Sequence, residues 1–179
     1  MGQYFHAVIL DAEATLMAWL SPFNSGMKLM EHSYLGDEFV STFEWELTPA
    51  GRFYKSRVVW AGDYADNEAN TTENLYSISK SCKASELGAG EEIKTTIHYP
   101  FLVNHTTRQF VNKFKVPKNR SGYQIHPLPL LTCEGNGRGG GDFYGESLLI
   151  GSWARDVISA EKTAPAEFTE LVFNLIEED

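Results

Sequence analysis

The sequence predicts an α+β fold: a mainly antiparallel sheet of short strands, one clear helix at about 37–47, one or two small helices, and many loops. Three observations carry this. Short β-rich apolar runs recur between turn-forming residues, one segment shows apolar residues at clean helical spacing, and nothing repeats the strand–helix alternation of a parallel sheet. With 179 residues, 42% hydrophobic and 13% aromatic, the chain has material for one conventional core. Its 15 Gly and 7 Pro call for many turns, and no linker divides it, so it reads as a single globular domain over 1–179.

Tyr4 to Leu10 and Leu16 to Leu20 are apolar runs on either side of turn chemistry at Asp11 to Thr15, which makes an N-terminal hairpin. Met27 to Tyr34 reads as extended. In DEFVSTFEWEL, Phe39, Val40, Phe43 and Leu47 recur at helical spacing, with Asp37 as the N-cap and Pro49-Ala50-Gly51 as the stop. Arg57 to Trp60 is a buried strand running into the polar loop AGDYADNEANTTEN. Asn74 to Lys80 suits a short helix, and SCKASELGAGEE a mobile excursion. FLVNH and RQFVN flank Thr106-Thr107 as a hairpin whose turn exceeds two residues, because Thr-Thr lacks the glycine of the tightest turns. The two prolines of IHPLPLL argue against both a central strand and a regular helix. Arg155 to Ala160 reads as a strand, and PAEFTELVFNLIEED as helix or strand with strand slightly favoured.

The net charge of −9 and pI near 5.0 repel phosphate polymers, which argues against nucleic-acid polymers and anionic membranes as partners. The one basic cluster, Lys113, Lys115, Lys118 and Arg120, reads as a solvated hairpin end. Cys82 and Cys133 fit no zinc pattern and read as free thiols. The N-terminal segment has no basic flank and is interrupted by Asp11 and Glu13, so it resembles neither a signal peptide nor a membrane span, and cytoplasm is the simplest compartment. Exposed aromatics permit a homodimer, although no heptad specifies one.

Chemistry concentrates in EGNGRGGGDF, Glu134 to Phe143, where each ordered glycine costs roughly 0.5–1 kcal/mol relative to alanine. Gly135, Gly137 and Gly140 satisfy G-x-G-x-x-G, but the prolines upstream and Gly145 downstream deny it the strand-turn-helix context of a dinucleotide site. A weaker reading survives: amides of Gly137, Gly139, Gly140 and Gly141 form an anion cradle, and Arg138 offers a planar fork for phosphate or carboxylate. Its structural counterpart is a tight bulge or Ω-loop in which Arg138 pairs with Glu134 or Asp142. Trp60 and Trp153, each near an aspartate, are the candidate stacking pair, and Arg155 is a candidate phosphate ligand. Most other aromatic rings belong to the core. The segments Trp60-Ala61-Gly62-Asp63 and Trp153-Ala154-Arg155-Asp156 echo each other, as coincidence or as a repeated device. Asp63 and Asp66 suit a metal or acid–base pair, and more often a turn. His6, His32, His98, His105 and His126 show no metal spacing and read as hydrogen-bonded structural residues.

With MGQYF, KLMEHS (Lys28 to Ser33), VVWAGDYAD (Val58 to Asp66) and GNGRGGGDF followed by GSWARD, the chain resembles an uncharacterised group of phage and bacterial proteins that open MGQYY and carry KLMEHS, WAGDYAD and GNGRGGGD segments. Phe5 and Arg155 replace the Tyr and Gly of that pattern. The phage context implies counter-defence inside the host cell. The leading expectation is therefore a binding protein that sequesters a phosphorylated nucleotide-like ligand such as a host immune signal, with no cofactor. Two rivals stand beside it: a metal-assisted phosphodiesterase or nucleotide hydrolase using Asp63, Asp66 or His32, and a protein–protein inhibitor whose acidic face meets a basic host complex.

Overall fold

The computed structural model describes residues 2–22, 24–82, 87, 95–135, 142–143 and 147–177. Within them the chain is α+β, as the sequence predicts. One mixed, mostly antiparallel sheet runs in the order β2-β1-β3-β7-β4-β5-β8, with β6 on a second stretch of β3's edge. Its strands are β1 (Phe5–Leu10), β2 (Leu16–Leu20), β3 (Ser56–Gly62), β4 (Phe101–Asn104), β5 (Gln109–Asn112), β6 (Cys133–Glu134), β7 (Val157–Glu161) and β8 (Thr169–Glu170); the helices are α1 (Leu29–His32), α2 (Glu38–Glu46), α3 (Leu75–Ser81) and α4 (Pro127–Thr132). Among the described residues, no helix is long and apolar enough to cross a membrane.

The expected N-terminal hairpin is present, and every residue of β1 is buried because both faces of the sheet are covered. Successive strand residues point to opposite faces. Phe5, Ala7 and Ile9 join Val58 and Trp60 beneath α1, α2 and α4, while Val8 and Leu10 join Trp19, Val59 and Ala61 against Leu75 and Tyr76 of α3. Helix α2 follows its sequence closely. Asp37 caps it by accepting from the Val40 amide at 3.1 Å, and Phe39 and Phe43 set their edges on the Trp60 ring at centroid distances of 5.4 and 5.1 Å. The β4–β5 hairpin also forms, with a turn longer than two residues. Asn104 Oδ1 accepts from the amides of Thr106 and Thr107, and Arg108 takes a φ of 56°.

Two segments depart from expectation. Met27 to Tyr34 is not extended throughout: Leu29–His32 makes a helical turn, closed by Glu31 Oε2 accepting from the Lys28 amide at 2.9 Å, and it buries Leu29, Met30 and His32. The PLPLL part of IHPLPLL is also helical, as α4. Both prolines fall in the first turn, where no intrahelical acceptor awaits their missing N–H groups. His126 caps that turn by accepting from the Leu128 amide at 3.2 Å. The C-terminal segment is a strand only at Thr169–Glu170, which pairs in parallel with β5. Beyond it, Phe173 is buried and Val172 is 75% exposed, and the Tyr34 hydroxyl donates to Glu177.

Three segments share one edge of β3. Ser56 and Arg57 pair with β7, Val58 exchanges hydrogen bonds with Arg155 and Asp156, and Trp60 and Ala61 pair in parallel with Cys133 and Glu134 of β6. Two glycines admit β6 to this position. A Cβ on Gly62 would lie 2.8 Å from the Glu134 carbonyl oxygen, and one on Gly151, at φ +69°, would lie 2.6 Å from that of Cys133. The echo between Trp60–Asp63 and Trp153–Asp156 carries no shared conformation. Trp60 to Gly62 is strand, whereas Trp153 to Asp156 is a turn in which Arg155 takes a φ of 67°. That left-handed backbone is the one glycine adopts most readily.

Gly151→Ala combines a left-handed backbone with a clash against backbone, and should lower the unfolding free energy by about 2–3 kcal/mol. Gly122→Ala, at φ +88° with nothing within 4 Å of the added methyl group, should lose only about 1 kcal/mol. Urea denaturation of the two variants checks the difference.

Candidate functional site

The parallel pairing of β3 with β6 sends both strands out at the same end of the sheet. There β3 becomes the loop 63–73, β6 enters the glycine segment at Gly135, and a cleft of about 540 Å³ opens between them, lined by Ala14, Asp66, Glu68, Glu134, Gly135 and Arg155 among others. The loop is well anchored. Asp63 Oδ1 accepts from the Tyr4 amide at 3.1 Å, and Asn74, which caps α3 by accepting from the Ser77 amide, donates its own amide group to the carbonyls of Asp63 and Ala65 at 3.1 Å each. Asp63 is thus a turn residue, and Asp66 is exposed at the cleft.

Arg155 braces the cleft. Its Nη1 donates to Glu68 Oε2 at 3.0 Å, and Nε and Nη2 donate to Glu134 at 2.6 and 3.0 Å, with a further Nη2 bond to Glu68. Hydrogen bonds to Glu68 and Glu134 push its pKa further above the ordinary arginine value. Two fork-to-fork pairs take four of the five N–H donors of the guanidinium. The phosphate role expected of Arg155 is therefore corrected: a guest in this cleft meets carboxylates, and the arginine joins the 63–73 loop to the root of the glycine segment.

The tryptophans are corrected as well. Trp60 and Trp153 are 0% and 1% exposed, with indole N–H groups donated to His32 Nε2 at 2.9 Å and to Gln109 Oε1 at 3.2 Å. Neither presents a free face for stacking. Gly137, Arg138, Gly139, Gly140 and Gly141 lie outside the described residues, as does most of the SCKASELGAGEE excursion. On the far side of the glycine segment, Asp142 Oδ1 accepts from the Met30 amide at 2.9 Å. Among the described residues, no group of three potential ligands could hold a metal ion.

Of the histidines read as structural, His6, His32 and His126 are buried in the fold, whereas His98 is exposed. His32 is fully buried; Nε2 accepts from Trp60, so Nδ1 carries the proton and donates to the Gly26 carbonyl at 2.9 Å. His6 hydrogen-bonds to Ser79 Oγ at 2.8 Å and stacks on Tyr76. Burial lowers both pKa values to about 4.

Sequence reasoning missed a buried ionic cluster. Glu44 of α2 accepts from Lys113 Nζ at 2.6 Å on one oxygen, and from Thr96 Oγ1 at 2.5 Å and His126 Nε2 at 3.1 Å on the other. Lys113 also donates to the Thr96 carbonyl and hydroxyl at 3.0 and 3.2 Å. Lys113 is thus no solvated hairpin end: its side chain is 2% exposed and that of Glu44 is 0%. Burial pushes the Glu44 carboxyl upward, but His126 and Lys113 outweigh it and hold the pKa below its ordinary value. Burial lowers the pKa values of Lys113 and His126 against the pull of Glu44. The His126 tautomer follows from its neighbours: Nδ1 caps α4, so Nε2 bears the hydrogen given to Glu44. Two signals for the cluster were in the sequence. Glu44 sits four residues after Val40 and three before Leu47, on the apolar stripe of α2, and Lys113 keeps the inward parity of Val111.

No family model, no curated protein and no solved structure matches this chain.

Lys113→Met strands a buried carboxylate and should lower stability by about 3–5 kcal/mol. Pairing it with Glu44→Gln should recover a substantial part of that loss in urea titrations. Acid should act early, through the histidines. With folded-state pKa values near 4 against 6.5 unfolded, the unfolded chain binds more protons below pH 6.5. Stability then falls as pH drops through the window from 6.5 to 4. His6 and His32 should each account for about 2 kcal/mol of loss between pH 7 and pH 5, and His32→Gln should flatten the profile of urea midpoint against pH.

Proposed function

We propose that this protein captures a phosphorylated, nucleotide-like small molecule in the cleft at the carboxyl ends of β3 and β6, and holds it without turning it over. The observation that carries the reading is the parallel β3–β6 pair, which delivers the 63–73 loop and the root of the glycine segment to the two sides of one cleft of about 540 Å³. Consecutive glycine amides suit phosphate oxygens, because bare backbone can close around an anion. In this reading the amides of Gly137 to Gly141 and the Arg138 guanidinium take the phosphate. The carboxylates of Asp66 and Glu68 accept hydrogen bonds from sugar hydroxyls or base amino groups, as acidic residues do for ribose in dinucleotide sites. Arg155 positions the two walls. The resemblance to phage proteins supplies the biological setting: sequestration of a nucleotide-derived immune signal in the host cell.

Native mass spectrometry after incubation with a panel of linear and cyclic nucleotides tests this. Intact ligand should be carried by the folded protein, and Arg138→Ala should weaken it by roughly 10- to 100-fold, the effect of a lost charged hydrogen bond, without changing the thermal midpoint. Failure of every panel member to bind would sink the reading, and recovery of degraded ligand would replace it with an enzyme.

A further inference from the structure

A second cavity, of about 290 Å³, lies beside the buried ionic cluster and shares no lining residue with the cleft at β3 and β6. Its walls come from distant parts of the chain. Segments 33–35 and 124–126 pair through the Leu35 amide on the Gln124 carbonyl and the His126 amide on that of Ser33, which sets Leu35 and Gln124 side by side. Ser41 faces the same space from α2, and the turn at Thr95 to Ile97 and the strand end at Lys113 and Phe114 complete it.

The chemistry of this cavity selects its guest. Ile97 and Phe114 are apolar side chains left 62% and 43% exposed at its edge, and Leu35 adds a third apolar surface. Its charged floor is already neutralised: the three protons of Lys113 Nζ go to Glu44 Oε1 and to the two Thr96 oxygens, and both ring nitrogens of His126 are engaged. A charged guest would lose hydration and find no uncompensated partner. Beside the Thr95 hydroxyl, which accepts from the Ile97 amide at 3.3 Å, two further polar side chains line the space. Gln124 donates its Nε2 to the Val116 carbonyl at 2.6 Å, leaving Oε1 as an acceptor, and the Ser41 hydroxyl makes no side-chain hydrogen bond among the described residues. The volume stands at the small end of ligand pockets, which run from roughly 300 to 1,000 Å³.

We propose that this cavity is a binding site for a compact, uncharged aromatic molecule bearing an N–H donor and a carbonyl or ring-nitrogen acceptor, the chemistry of a free nucleobase or an aryl carboxamide. The flat body lies between Leu35, Ile97 and Phe114. Its donor meets Gln124 Oε1, and its acceptor receives the Ser41 hydroxyl.

Amide chemical-shift mapping on the intact chain tests the site, with adenine, uracil, benzamide and benzoate added singly as probes. At least one neutral probe should shift the amides of Leu35, Gly36, Ser41, Ile97, Phe114 and Gln124, and Ile97→Ala with Phe114→Ala, both at exposed positions, should weaken it about tenfold. Ser41→Ala should weaken it without altering the spectrum of the free protein elsewhere. Benzoate should bind more weakly than benzamide. The proposal is overturned if no neutral probe shifts these amides, if shifts appear only at 63–69 and 134–135, if the double variant binds unchanged, or if benzoate binds as tightly as benzamide. Loss of nucleotide capture in the Arg138→Ala variant leaves this outcome untouched, since the two sites have no residue in common.

Discussion

Strand β3 lies in the interior of the sheet and both of its edges must be hydrogen-bonded, because a buried backbone group without a partner costs about as much as a lost hydrogen bond. One edge is satisfied by β1 along its whole length. The other is divided among β7, the turn at Arg155 and Asp156, and β6. This division organises the rest of the molecule. It forces Gly62 and Gly151 to be glycine and places Arg155 in a left-handed conformation within reach of Glu68 and Glu134. It also makes the carboxyl end of β3 the meeting place of the 63–73 loop, Glu134 and Arg155, whose ion-paired residues stand 21 and 87 positions apart in the chain.

The cleft that results is lined by three carboxylates and one arginine that is already paired. A polyphosphate would find little attraction in these walls alone. In the proposed reading the anion is left to the glycine amides and Arg138, and the carboxylates suit the hydroxyl and amino groups of the same guest. Arg155 is then more useful as a brace than as a ligand. Its two forks tie a surface loop to the sheet and offset the strain of its own backbone.

The Glu44–Lys113–His126–Thr96 cluster performs a comparable task in the core. It joins α2, the turn before β4, the end of β5 and the cap of α4 through groups whose hydrogen-bonding capacity is filled. A buried ion pair adds little net stability over apolar packing, but it penalises any arrangement that separates the partners. The same neutrality leaves the adjoining cavity without an uncompensated charge, with Thr95, Ser41 and Gln124 as polar side chains of its lining.

Local signals were legible wherever one segment alone determined the outcome. The Asp37 cap, the Phe39, Val40, Phe43 and Leu47 stripe, the hairpins at Asp11 to Thr15 and at His105 to Arg108, and the α+β class all follow from residues within a few positions of one another. The prolines of α4 misled because their effect depends on where a helix begins, and that boundary was fixed by burial of the whole segment and by the His126 cap. Trp60 and Trp153 were legible as large apolar rings, but spacing cannot distinguish a ring in the core from a ring beside a ligand. What the sequence determined by itself was the alphabet of short elements and their caps, since propensity and periodicity act over one or two turns. Only the tertiary structure decided that Arg155 is held by Glu68 and Glu134, that Lys113 is buried on Glu44, and that β6 lies parallel to β3. Each of these joins residues far apart in the chain, and desolvation, which chooses their partners, acts only when the chain is folded.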